Sequence, residues 1–578
     1  MTAPGLLDLL RHALGPHLLI APVLLPLLTA GLLLLIDERR HRIKLGLGLL
    51  ALLGNAAVAL ALMAQAKAGA PGAGAVGVYL ASNWEAPFGI VLVLDRLSAL
   101  MLVVAAVVAP LALLFAAARW HRAGAHFHVL FQVQLMGVNG AFLTGDLFNL
   151  FVFFEVMLAA SYGLLLHGSG PTRVKAGLHY LTINLVASSL FLVGASMVYG
   201  VTGTLNMADL AQRIPQIAVG DRPLFHAGCA VLAVAFLAKA AMWPLNFWLV
   251  PAYAGAGAPS AAVFALLTKV GIYVLLRLST LLFSAGAGDS AGFGATWLLW
   301  GGVATLAFGA VGLLASQRPA RLAGHAVIVS SGTLMAMLSL GRPSVTAGAL
   351  YYLPVSTFAV AAFFLIAELM DRSRLPDPQA LRAPEDEEDQ LPFALADQEL
   401  DDAVNLDEDE APLIGRPMPG ATALLGLTFI VVTLLVAGLP PLAGFVGKLA
   451  MLQALMQAPD AVDGLLLGLV LVSGLCALIA LSRSGIRFFW SPVDRAAPTL
   501  KVAEFVPIAL LLGACVLLTL RGEAVLRYAR QTAQALYAPA GYVDAVLAAR
   551  PRPTATNAER LGVPWPPAAA PAAGEGAR

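Results

Sequence analysis

Read from the amino end, the chain alternates long apolar runs with short polar or Gly/Pro-rich breaks. Fourteen runs approach the roughly 20 residues a helix needs to cross a hydrocarbon layer about 30 Å thick. They lie near 17–36, 45–64, 90–118, 127–143, 147–166, 176–200, 225–250, 261–283, 296–315, 322–340, 346–370, 421–456, 464–482 and 503–520. The pattern predicts an all-α polytopic membrane protein with about 14 transmembrane helices. The third and twelfth runs are too long for one straight span, which predicts a tilt, a break or an intervening loop. The first is read as a true span, because the basic cluster Glu38-Arg39-Arg40-His41-Arg42-Ile43-Lys44 follows it, whereas a signal peptide carries its positive charge in front.

Composition agrees with this picture. The chain is 59% hydrophobic and 12% charged, against about 25% charged in soluble proteins, which excludes a water-soluble enzyme. Cys229, Cys476 and Cys515 stand alone in apolar stretches and offer neither a disulfide framework nor a thiolate metal site. The net charge of +1 hides a split: residues 371–410 hold 15 of the 34 acidic residues against three arginines, leaving +13 elsewhere. Lys and Arg accumulate in short cytoplasmic loops. Starting with the loop after the first span, every second short loop together holds fourteen of them, and the alternate set holds four. Both termini are therefore predicted on the outer (periplasmic) side of an inner membrane, with the acidic loop 371–420 inside. That loop is too charged to bury a core, and the Pro/Ala-rich tail from about 535 is likewise expected to be unstructured.

Four charges fall in mid-span: Glu155, Lys239, Lys269 and Lys448. Each costs about 2.5 to 3.5 kcal/mol at the bilayer centre even on the most forgiving scale, so all four must face the protein interior. An inert ion pair between Glu155 and one lysine would leave the other two lysines unexplained. The chain has only seven lysines and uses arginine four times as often. An ammonium taken out of water releases its proton more readily, so a row of lysines answering to one carboxylate suits a proton relay. It suits a direct Na⁺ site poorly, because ammonium repels a cation and hard cations want oxygen ligands. Lys239 precedes Pro244 by five residues, and Lys448 follows Pro440-Pro441. Helices broken at membrane depth, in corresponding positions of two halves, point to a transport site built on inverted repeats. The two lysines lie in the seventh and twelfth spans, an odd offset that makes the units of spans four to eight and nine to thirteen opposite in topology. The resulting division is three N-terminal helices (1–122), a first five-helix repeat (123–295) and a second (296–490) interrupted by loop 371–420. A last span (491–534) and the tail (535–578) complete it. His325 is a candidate auxiliary relay group, Glu368 and Asp371 are expected at the interface, and Arg277 could snorkel or attract a carboxylate. No phosphate loop, nucleophile elbow, or histidine pairing for haem or metal occurs, so no cofactor or metal is expected.

Three stretches carry a family resemblance: LFNLFVFFEVMLAASYGLLL around Glu155, FLAKAAMWPLNFWLVPAYAGAGAPSAAVFALLTKVGIYVLLR around Lys239 and Lys269, and LPPLAGFVGKLAML around Lys448. The chain from about 90 to 490 resembles the antiporter-like membrane subunits shared by multisubunit Mrp-type Na⁺/H⁺ antiporters and respiratory complex I, and is most similar to the D-type (PhaD-type) Mrp subunits. The resemblance implies a fourteen-helix fold with two inverted five-helix units and other membrane subunits as partners in a hetero-oligomer. It also implies Glu155 and Lys239 as a coupled pair, Lys269 as the central bridge and Lys448 as the terminal lysine of a hydrated path. The chain departs from the pattern of many relatives at Asn246 and Ser330, where they carry His and Gln or His, and near Val355, where they carry His. The function expected is proton translocation in a Na⁺ or K⁺/proton antiporter. The alternatives are a proton-pumping subunit of a complex I-like NADH:quinone oxidoreductase and a purely structural membrane scaffold.

Overall fold

The computed structural model describes residues 15–68, 76–372, 419–457, 460–489 and 500–552. The expected unstructured segments at 373–418 and 553–578 lie outside the described residues. The elements run α1 (Ala21–Leu34), α2 (His41–Lys67), β1 (Gly77–Leu80), β2 (Val91–Leu94), α3 (Arg96–Ala116), α4 (Phe127–Leu143), α5 (Leu147–Leu166), α6 (Pro171–Thr202) and α7 (Met207–Arg213). They continue with α8 (Arg222–Lys239), α9 (Leu249–Gly255), α10 (Ala258–Leu282), α11 (Ala295–Ala315), α12 (Pro319–Leu338) and α13 (Pro343–Arg372). The last are α14 (Gly420–Ala437), α15 (Ala443–Met456), α16 (Ala461–Phe489), α17 (Val502–Leu520), α18 (Gly522–Leu536) and α19 (Ala540–Leu547). Every one of the fourteen apolar runs carries a helix. Among the described residues twelve helices are long and apolar enough to cross a membrane, and α1, α4 and α15 are shorter apolar helices.

The two over-long runs resolve differently. In the third, Val91–Leu94 forms a strand paired antiparallel with Gly77–Leu80, in register Gly77↔Leu94. Asp95 then stops the strand and starts α3: its carboxylate accepts from Ser98 N at 2.9 Å while Ser98 Oγ accepts from Asp95 N at 2.8 Å, a capping box. In the twelfth, α14 ends at Ala437 and α15 begins at Ala443, with Pro440 and Pro441 in the gap. The seventh run has the same design: α8 ends at Lys239, Pro244 lies in the gap, and α9 begins at Leu249.

The unstructured tail expected from 535 is corrected up to residue 552. Residues 522–536 form the amphipathic helix α18, which packs on α13, and α19 follows. Its periodic small and aromatic positions, Tyr528, Ala529, Thr532, Ala533 and Leu536, are buried. A 20-residue apolar criterion cannot see such a helix, because half of its surface is polar.

Burial ranks the helices. Within their spanning windows α10, α12 and α13 are 94, 89 and 94% buried, whereas α2, α11 and α17 are 28, 33 and 33% buried. The first three are the centre and the others line the periphery. Close approach at the centre uses glycine, as is usual where apolar packing must replace the hydrophobic effect. A Cβ on Gly271 of α10 would lie 2.7 Å from Ala240 N, at the break after Lys239. The connections also sort onto two sides. On one, Trp120, Ala258 and Glu368 meet, and Arg483 reaches Ser316 O. On the other, Asp95 meets Arg277 and Arg342 meets Asp463. Trp120, Ala258, Ser316 and Arg483 lie in or beside connections expected on one side, and Arg342 and Asp463 in or beside connections expected on the other.

Candidate functional site: a row of mid-span charges

Glu155 occupies the middle of α5, a helix started by Asp146, whose carboxylate accepts from Asn149 N at 2.9 Å. Ser188 Oγ of α6 donates to Glu155 Oε1. Lys239 is the last residue of α8, and its Nζ donates to Asn184 Oδ1 of α6 at 2.6 Å. Asn184 and Ser188 are one helical turn apart and face the same way. Helix α6 therefore inserts a polar ledge between carboxylate and ammonium, and no Glu155–Lys239 ion pair within 4.0 Å forms among the described residues. Glu155, Ser188 and Lys239 line a cavity of about 10 Å³ walled by Phe151, Phe154, Phe191 and Phe236. That volume is at the lower limit for one water. The site joins carboxylate, hydroxyl, amide and ammonium within an apolar wall, so a proton gained at one end alters the balance at the other through few intermediaries.

Lys269 sits in α10, 1% exposed, and donates to Ser330 Oγ of α12 at 2.5 Å. Gly271, two residues along, abuts the break beside Lys239, so the backbones of the two lysine-bearing helices touch there. Neighbouring polar atoms without partners are Ser331 Oγ and, in the α8–α9 break, Asn246 Nδ2 and Trp248 Nε1. Such orphaned donors mark places where water belongs. Ser330 thus offers the lysine a short hydroxyl acceptor.

Lys448 lies at the start of α15 and donates to Ala437 O at 2.8 Å and Val436 O at 3.2 Å. These are end carbonyls of α14, freed by the break and carrying the negative end of its dipole. Gly438 makes room: a Cβ there would lie 2.5 Å from Lys448 Cδ. Lys448 is therefore held by a broken helix, and among the described residues no carboxylate pairs with it. His325 is placed apart from the row. Its ring packs on Gly312, where a Cβ would lie 2.1 Å from Nδ1, and on Phe308 of α11. It makes no hydrogen bond to Lys269 or Ser330 among the described residues.

Sequence reasoning missed Asn184 and Ser188. Their signal was present as Tyr180, Asn184 and Ser188 at a four-residue spacing in an otherwise largely apolar helix. Of the two roles open to Arg277, snorkelling or attracting a carboxylate, the second is found: it forms a two-pronged bond with Asp95, both contacts at 2.7 Å.

A polytopic bundle with two broken helices, three buried lysines and a carboxylate at the head of the row defines a membrane transport protein. A family model described as "NADH:quinone oxidoreductase/Mrp antiporter, TM" matches residues 144–382. The chain is 50% identical over 545 residues, 92% of its length and 98% of the relative's, to the D-type subunit of the probable K⁺/H⁺ antiporter of Rhizobium meliloti (strain 1021). It is 31% identical over 537 residues, 92% of its length and 99% of the relative's, to the D-type subunit of the Na⁺/H⁺ antiporter of Alkalihalophilus pseudofirmus. A chain of the Mrp complex from Dietzia sp. DQ12-45-1b superposes with a TM-score of 0.75 at 25% identity, over 92% of this chain and 99% of that one. The chain belongs to the NADH:quinone oxidoreductase/Mrp antiporter transmembrane family, on the branch of the D-type antiporter subunits.

Proposed function

We propose that the chain is the proton-translocating D-type subunit of a multisubunit K⁺ or Na⁺/proton antiporter. The observation that carries this reading is the Glu155–Ser188, Asn184–Lys239 network. It places an acid and a base on either side of a cavity the size of one water, with polar side chains at both ends. Loading a proton on Glu155 removes the field that favours a charged Lys239. The lysine then passes its proton towards Lys269, and the change propagates to Lys448, where the end carbonyls of α14 steady the ammonium. Ammonium groups repel K⁺ and Na⁺, so the cation moves through partner subunits, coupled to this row. The two units, 123–295 and 296–490, run in opposite senses in this reading. The Lys/Arg-rich loops face the cytoplasm and both termini the outer side, which the two-sided sorting of the loop contacts supports.

The test is antiport in everted vesicles bearing the complete complex, read as collapse of a preformed pH gradient on adding K⁺ or Na⁺. Two further effects arise from the site. Asn184→Leu removes the acceptor of a charged hydrogen bond, worth about 1.5 to 3 kcal/mol. Its antiport should fall about tenfold, since 1.4 kcal/mol is a factor of ten, while Asn184→Gln retains part of the rate. Lys448→Ala should also block antiport with the complex still assembled; transport at the wild-type rate would mean that protons leave by another route.

A further inference from the structure

The N-terminal helices hold a second set of buried polar groups that the lysine row does not use. On α4, His128, Gln132 and Asn139 recur at spacings of four and seven and share one face; on α2, Lys44, Gly48 and Asn55 do the same. The two faces meet, since Gln132 Nε2 donates to Gly48 O at 3.1 Å. Asn139 Nδ2 donates to Pro22 O of α1 at 2.8 Å. Lys44, Asn55, His128, Gln132 and Asn139 are all 1 to 3% exposed. Yet Asn55 Oδ1, His128 Nδ1 and Gln132 Oε1 have no partner. Buried polar atoms normally have a hydrogen-bond partner, and three unpartnered ones along one seam form a set of positions at which water can bind.

The end towards the Lys/Arg-rich loops is built from titratable groups. His128 Nε2 lies 3.3 Å from His121 Nδ1, the His41 ring stands edge-on to His121, and Arg122 Nε donates to His121 Nε2. Lys44 donates to Glu38 at 2.7 Å, and the exposed His126 lies 3.0 Å from the same oxygen. Burial first, and Arg122 and His41 next, push the His121 imidazole down to about 4, so it is neutral at pH 7. Burial alone would raise the Glu38 carboxyl, but Lys44 and His126 hold it below its ordinary range. Beyond His128 the absent side chain of Gly48 leaves a notch: a Cβ there would lie 3.9 Å from His128 Nδ1, 3.6 Å from Gln132 Nε2 and 3.2 Å from Leu113 Cδ2. The next polar station, Asn55 and Asn139, is seven residues further along each helix, about 10 Å. The intervening turn carries the buried Leu52 and Leu135.

We propose that the seam between α2 and α4 is a water-bearing proton port, entered at the His41–His121–His128 cluster and closed at Leu52 and Leu135 by an apolar constriction. Its ligands are water molecules and the protons they carry. A proton from the aqueous side binds His121 Nε2 in place of the Arg122 hydrogen bond, His121 passes its Nδ1 proton to His128 Nε2, and His128 releases the proton on Nδ1 to water beside Gln132. Both rings are left as the other tautomer, which ring rotations reset. The apolar turn keeps the two stations apart by excluding water.

Two experiments on the intact complex decide it. In a background lacking Cys229, Cys476 and Cys515, Gln132→Cys should react with Ag⁺ in the purified complex, read by mass spectrometry, while Val138→Cys, buried on another face of α4, stays unmodified. Gly48→Ala should slow the reaction by filling the notch. A Gln132→Cys as inert as Val138→Cys overturns the port. In proteoliposomes, Leu52→Asn or Leu135→Asn should wet the constriction and raise passive proton leak at least threefold, with His128→Phe restoring the wild-type level. Complex assembled at normal yield with no added leak in either variant also overturns it. The labelling does not depend on transport: wild-type antiport in Lys239→Ala would remove the lysine relay and leave the port standing.

Discussion

Lys239→Ala and Glu155→Gln are each expected to reduce cation-driven collapse of the pH gradient in everted vesicles to the background of vesicles lacking the complex. The reason is geometric. Each residue holds one end of the ledge formed by Asn184 and Ser188, and no other titratable side chain lines the cavity between them. Removing Lys239 leaves Glu155 with no base to answer it; removing the carboxylate leaves the lysine with no field that changes when a proton arrives. Abundance separates this from a scaffold role. A lone charge in the bilayer interior costs about 2.5 to 3.5 kcal/mol, so deleting Lys239 alone is not expected to unfold the chain. If the charges served only to hold helices together, complex yield would fall before activity. Antiport at the wild-type rate in either variant, with normal yield, would end the relay reading.

The second large effect concerns stability. Arg277→Met should destabilise the chain by about 3 to 5 kcal/mol, the usual consequence of removing one partner of a buried ion pair, and should reduce recovery of the assembled complex. Arg277 and Asp95 are 6% and 15% exposed, and their side chains meet through two parallel bonds. The guanidinium also lies 5.1 Å from the Tyr542 ring and 5.5 Å from that of Tyr273. One arginine therefore ties α10 to the capping residue of α3 and to the C-terminal helix α19. Replacing both charges by apolar groups of similar size is often neutral, so Asp95→Leu combined with Arg277→Met should recover most of the loss. Thermal unfolding of the solubilised complex checks this: a single variant as stable as the parent would show that the pair is dispensable.

The spans were legible in the sequence because the bilayer imposes one length on every apolar helix. The seventh and twelfth breaks were legible because an interior proline has no donor for the helix. The strand at Val91–Leu94 was not, since four apolar residues before a helix resemble more helix until Asp95 is seen to cap it. The C-terminal helix α18 escaped for the opposite reason, its polar half masking an apolar face that exists only because α13 lies beneath it.

The four mid-span charges could be read from the sequence alone, because a charge near the middle of an apolar run is costly whatever its neighbours in sequence. Their partners could not. Asn184 is 55 residues from Lys239, Ser188 is 33 from Glu155, and Ser330 is 61 from Lys269. Only helix packing decides which short polar side chain meets which charge, and whether a carboxylate or an end carbonyl receives it. The residues alone reveal a membrane-embedded row of one acid and three lysines, two of the lysines beside helix-breaking prolines. Tertiary structure decided that Glu155 and Lys239 meet through α6 instead of directly, that Lys448 answers to a helix end, and that His325 turns away to pack on Gly312.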